Sequence, residues 1–139
     1  MLLLAILASL ATAPQDEPNL QACLTENSGM LGTLQCNDED LGRQRAALAA
    51  VLARIDGKLE RWPATLGVRP DQARRALNQA QALWAESADQ DCLAGEALFG
   101  EGNAFALDRL DCDRRHIEAR IAELLAFEQA YLWTADAAQ

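Results

Sequence analysis

Histidine, aromatic side chains and closely paired metal-ligand spacings are all scarce in this chain of 139 residues, which has one histidine and seven aromatics. The single His116 lies between Arg115 and Ile117, where neighbouring positive charge opposes service as a general base, so it reads as a lone surface side chain. Neither Ser28 nor Ser87 sits in a Gly-x-Ser-x-Gly elbow. The glycines around Gly100 and Gly102 lack the lysine and the strand-to-helix setting of a phosphate cradle. Carboxylate pairs exist, Asp89 with Asp91 and Asp111 with Asp113, but two residues apart on a helix they point away from each other. With no activated nucleophile, base or cofactor motif, the residues predict a binding protein rather than an enzyme, with no catalytic residue and no cofactor.

The four cysteines contain no Cys-x-x-Cys, and one histidine is too few to complete an ordinary zinc site, so no metal is expected. In an oxidising compartment an even set of cysteines reads as two disulfides. Of the three pairings that four cysteines allow, proximity in sequence favours Cys23 with Cys36 and Cys92 with Cys112. Such crosslinks would support a thin core that is rich in alanine and poor in aromatics.

Residues 1–13, MLLLAILASLATA, form an apolar run with a small-residue cleavage motif at Ala11-Thr12-Ala13. No basic residue precedes the run, and it is too short to cross a bilayer. It reads as a signal peptide, leaving residues 14–139 as one exported domain, periplasmic or extracellular, with no stable transmembrane span. Leu20-Gln21-Ala22-Cys23 has the outline of a lipoprotein cleavage site. Asp16, Glu17 and Pro18 separate it from the apolar run, and acylation of Cys23 would leave an odd number of cysteines, so a lipoprotein form is disfavoured.

The periodicity predicts an all-α fold, a small three-helix bundle built on an antiparallel helical hairpin with both disulfides at one end. Between Cys23 and Cys36 the sequence fits either a helical extension or a disulfide-pinned loop. From Asn37, a candidate cap, the stripe Leu41, Leu48, Leu52, Ile55, Leu59 and Trp62 steps by threes, fours and a seven until Pro63. Pro70 opens a second helix, read as the central one, whose face carries Ala73, Leu77, Ala80, Trp84 and Ala88 and which ends before Gly95. The stretch from Leu93 to Ala106 holds three glycines with Leu98, Phe99 and Phe105, and reads as a loop. Leu110, Ile117, Ile121, Leu124 and Tyr131 mark a third helix capped by Asp108 or Asp111, with Arg114 and Glu118 at pairing distance along it. The tail after Trp133 is small and polar and is expected to fray.

Twenty-one acidic residues face twelve basic ones, for a formal charge of −9, and the two signs are segregated. Residues 16–42 and 86–113 are acidic with one arginine between them, whereas residues 43–75 are basic. In an antiparallel hairpin the acidic blocks meet at the cysteine-bearing end and the basic block occupies the turn. An acidic end suits a cationic protein partner, and the overall sign disfavours nucleic acid.

One motif is more specific than these patterns. Leu77, Ala80-Gln81, Trp84 and Cys92, followed by Cys112, Arg120 and Leu124, resemble the signature of the LprI-type family of small exported proteins, named for a lysozyme inhibitor. Cys23 and Cys36 are similar to the family's paired N-terminal cysteines, and the likeness spans about Cys23 to Leu124. The chain departs from the pattern at Ala49, Leu52, Ala88 and Ile117, where the family carries polar or tyrosine side chains, and in a reduced Gly102-Asn103 loop. The resemblance implies a helical, disulfide-bonded, exported protein with lysozyme inhibition as the expected activity. A knob of Glu96, Leu98, Phe99, Glu101 and Phe105 is then the candidate partner-binding surface for a cationic lysozyme. The other reading is a non-catalytic structural or assembly module of the bacterial cell envelope, using an apolar strip with Phe127 and Tyr131.

Overall fold

The stripe that begins at Leu41 becomes the core. A computed structural model describes residues 19–63, 65 and 67–132, and of Phe99 the backbone only; the expected signal segment 1–13 and the tail from Trp133 fall outside the described residues. Among the described residues there are four helices, one more than the three expected because the short α1 precedes the bundle: α1 (Leu20–Glu26), α2 (Met30–Arg61), α3 (Pro70–Phe99) and α4 (Asn103–Tyr131). No strand occurs among the described residues, and no described helix is long and apolar enough to cross a membrane.

Helix α2 buries Leu41, Leu48, Val51, Ile55 and Leu59 against Ile117, Leu124 and Leu132 of the α4 region. Val51 takes the inward place expected of Leu52, which is half-buried. Each such side chain contributes roughly 1.5–3 kcal/mol on burial, less what the unfolded chain already buries. Helix α3 is more peripheral than its motif suggests. Among its described residues only Ala88 and Cys92 are fully buried, with Ala73, Leu77 and Trp84 packing on the core's edge. The molecule is therefore organised around α2, and not around α3 as the sequence reading expects.

Side-chain pairs between the helices show their directions. Arg74 of α3 grips Asp56 of α2 with two 2.8 Å bonds across the short connection, which makes these helices antiparallel. Gln44 reaches Glu118, and Arg54 reaches Glu128, each 74 residues ahead, so α2 and α4 run the same way. Acidic and cysteine-bearing segments are thereby gathered at one end, and the α2–α3 turn stands at the other.

Three helix boundaries differ from the sequence reading: the start of α2, the end of α3 and the start of α4. Asn37 does not cap α2: its amide donates to the Thr33 carbonyl at 2.8 Å in mid-helix, and the helix begins seven residues earlier, after Gly29. The undecided Cys23–Cys36 segment is α1, a tight turn, and the first turns of α2. Gly32 permits that turn, because a Cβ there would lie 2.5 Å from the Asn27 carbonyl oxygen.

The expected loop between Leu93 and Ala106 is mostly helix. Gly95 sits inside α3, where one glycine costs about 1 kcal/mol relative to alanine, and flanking alanine, leucine and glutamate carry the helix through. Only Gly100 and Gly102 break the chain, at φ 79° and 127°, conformations that disfavour other residues. Helix α4 accordingly starts at Asn103, upstream of the expected caps Asp108 and Asp111. The Arg114–Glu118 pair forms at 3.3 Å.

At the far end of α4, Glu128 receives Arg54 and Lys58, and only 12% of its side chain is exposed. The Arg54 hydrogen bonds, aided by Lys58, hold its carboxyl at about 2, well below the usual 4.5, against the opposing effect of burial. Because the folded-state value is depressed, the stabilisation is complete above pH 4.5 and is lost as pH falls towards 2. Urea denaturation of Glu128→Gln should show lower stability at pH 7 and a flatter decline between pH 4.5 and 2 than the parent. Parallel pH profiles would show that the pair does not contribute.

Candidate functional site

At the disulfide-bonded end one arginine adds a polar clasp between α3 and α4. Cys23 is bonded to Cys36 and Cys92 to Cys112, the pairing that proximity favoured, and the described residues include no free cysteine. Beside the second bridge, Arg109 of α4 contacts three carboxylates: Asp89 at 2.5 Å and Glu96 at 3.3 Å on α3, and Asp113 at 3.1 Å on α4. The Asp89 hydrogen bond is the main reason its guanidinium is held above the usual arginine value. Asp113 also receives Arg45 from α2 at 3.5 Å. A lone base among eight acids in residues 86–113 was visible in the sequence, and the fold makes it the clasp between α3 and α4.

His116 Nε2 lies 3.7 Å from an Asp91 carboxylate oxygen, and its ring is near the Cys92 and Cys112 sulfurs. Those sulfurs are joined to each other, so they have no thiolate to offer a metal. Asp91 is largely exposed and His116 about one-third exposed, so the pair faces solvent.

The motif residues converge a few turns away. Arg120 Nε donates to the Gln81 side-chain oxygen at 3.0 Å, its guanidinium lies 5.8 Å from the Trp84 ring centroid, and a second nitrogen reaches Glu123 at 3.0 Å. Leu124 is buried one turn further on, Leu77 packs on the core, and Cys92 closes the row through its bridge to α4. Ala80 alone of the set is exposed. The motif thus describes a seam: one arginine from α4 laid across α3, between a disulfide and a buried leucine.

A family model described as lysozyme inhibitor LprI matches residues 22–124. The chain belongs to the LprI family. The matched span runs from just before Cys23 to Leu124, enclosing both disulfides and the whole Arg120 seam. No curated protein and no solved structure matches the chain significantly.

In this LprI-family chain the five candidate contact residues surround the α3–α4 turn in different states. Leu98 is 86% exposed, and Glu101 is exposed within the turn. Glu96 is drawn inward by Arg109, and Phe105 is half-buried at the start of α4. The Phe99 side chain lies outside the description. Sequence reasoning missed Leu31, 81% exposed on the first turn of α2 at the same end of the bundle, because the segment holding it had no assigned conformation.

Proposed function

We propose that this protein is an exported inhibitor that binds a cationic lysozyme non-covalently through its acidic, disulfide-tied end. Residues 1–13 serve as its export signal, and the periplasm or extracellular space is where two disulfides persist. Family membership supports the class of partner. The observation that carries the choice of surface is Leu98, a large apolar side chain almost fully in solvent beside exposed Glu101, with Asp91 and the half-exposed Asp89 nearby on α3. An apolar anchor in an acidic surround fits a cationic cleft: the anchor supplies affinity and the charges supply steering. Glu96, held by Arg109, and Phe105, partly covered, shape the turn behind that anchor.

Binding to a cationic lysozyme should weaken at least ~10-fold in Leu98→Asp, the size of a modest hot spot. Glu101→Lys should act mainly on the association rate and its salt dependence. Unchanged binding in both variants would remove the α3–α4 turn from the proposal.

A second reading, a structural or assembly module of the envelope, is favoured by Leu125 and Tyr131, both exposed along α4. Concentration-dependent association in gel filtration would distinguish it from a monomeric inhibitor.

A further inference from the structure

The opposite end of the bundle differs in charge and in shape. A cavity of about 270 Å³ opens between the end of α2, the start of α3 and the last turn of α4. Leu59, Trp62, Val68, Pro70, Phe127 and Tyr131 line most of it, and Arg69 is its one charged wall among the described residues. A polar recess lined by Arg69, Asp71, Gln72 and Arg75 adjoins the cavity, sharing Val68, Arg69 and Pro70 with it.

The arginines here stand apart from the rest. Arg43, Arg45, Arg54, Arg74, Arg109, Arg114, Arg115 and Arg120 each contact a carboxylate. Arg61, Arg69 and Arg75 have no carboxylate partner among the described residues, and all three flank the α2–α3 turn. In a chain of net charge −9, two of these guanidiniums, Arg69 and Arg75, line the aromatic-walled cavity or the recess that adjoins it, while Arg61 lies back along α2 over Gly57. Asp71 shares the polar recess, where two guanidiniums outnumber it.

We infer that this end is a binding site for a small anionic amphiphile, a short aliphatic or aromatic carboxylate whose apolar body fills the cavity and whose carboxylate meets Arg69 and Arg75. The volume lies just below the ~300–1,000 Å³ of ordinary small-molecule sites, which limits the occupant to one short chain or ring. Guanidinium forks match a carboxylate in geometry as well as charge. A cation would be repelled there, and a neutral hydrocarbon would leave both forks unused. The site is remote from the α3–α4 turn and does not depend on the lysozyme reading.

The test is calorimetric titration of the oxidised full chain with decanoate below its micelle concentration, alongside decanol, decyltrimethylammonium and vesicles of anionic phospholipid. Saturable decanoate binding is expected, at least ~10-fold tighter than either other ten-carbon probe. It should weaken about tenfold in Arg69→Ala/Arg75→Ala and disappear in Ala73→Trp, which places a bulky ring at Ala73, itself a wall of the cavity, without changing either arginine. The inference is overturned by no decanoate binding, by equal binding of the cationic probe, or by decanoate binding unchanged in both variants. Vesicle binding without binding of monomeric decanoate would also overturn it, in favour of a membrane-facing surface.

Discussion

Removing the Cys92–Cys112 bridge by Cys92→Ala/Cys112→Ala is expected to lower the unfolding free energy by about 2–5 kcal/mol, the usual cost of a native disulfide in a small domain. The bridge closes 20 residues of chain, and Cys92 itself is almost completely buried. It also fixes the last turns of α3 against α4, where Arg109 makes its bonds to Asp89 and Glu96. Loss of the bridge therefore removes a constraint on the unfolded chain and loosens a cluster of pairs in the folded one. The bridge from Cys23 to Cys36 offers a contrast. It ties down α1, which has no fully buried residue, so in Cys23→Ala/Cys36→Ala helix α1 can detach and regain the entropy it had given up. Urea denaturation should show the larger loss for the first double variant. Hydrogen exchange of the second should show fast exchange through α1 with the amides of mid-α2 still protected. Equal global losses, with α1 protected in both, would contradict this division.

Arg120→Ala is expected to cost about 2–4 kcal/mol, from one charge-assisted hydrogen bond and one cation–π contact held in a mostly covered place. Its side chain is 13% exposed, and its loss leaves the Gln81 oxygen without its donor and one side of Trp84 uncovered. The Glu123 contact adds little, because that carboxylate is well exposed. Arg120→Lys should recover less than half of the loss, since an ammonium cannot both donate from the Nε position and lie flat beside an indole. A double-mutant cycle with Gln81→Ala should give a coupling of about 1 kcal/mol, and a coupling near zero would mean that the hydrogen bond is not a stabilising one. The same substitution separates the roles of the two regions. If Arg120 acts only through the seam, its variants should lose stability and keep lysozyme affinity at temperatures where they are folded.

Much of this arrangement is legible in the sequence because it rests on local signals. Leu41, Leu48, Ile55 and Leu59 announce a helical face by spacing alone, and all four are buried. Pro63 lies just beyond the end of α2, and Pro70 opens α3 with a ring that needs no hydrogen bond there. The passage from Leu93 to Ala106 misleads for the opposite reason. Its glycine content is a local argument for a loop, while the Cys92–Cys112 bridge and the Glu96–Arg109 pair that anchor it as helix are tertiary. The same limit explains Ala80 and Gln81. An apolar pattern selects the alanine, but the inward partner is the glutamine, which becomes favourable only when Arg120 arrives from 39 residues away. Charge segregation was readable as well. What it does not reveal is that Arg43, Arg45, Arg109, Arg114 and Arg115 pair off much of the acidity, leaving Asp91 and Glu101 among the more exposed carboxylates near Leu98.

Docking of an apolar anchor within an acidic end onto lysozyme, as proposed, is tested most directly by a cell-wall clearing assay. Oxidised protein would be titrated against several cationic lysozymes at low and high salt, with Leu98→Asp as the matched control. Stoichiometric inhibition of at least one lysozyme is expected, weaker at high salt and weaker in the Leu98 variant. Full lysozyme activity at saturating protein in every case, or inhibition indifferent to both salt and Leu98, would contradict it.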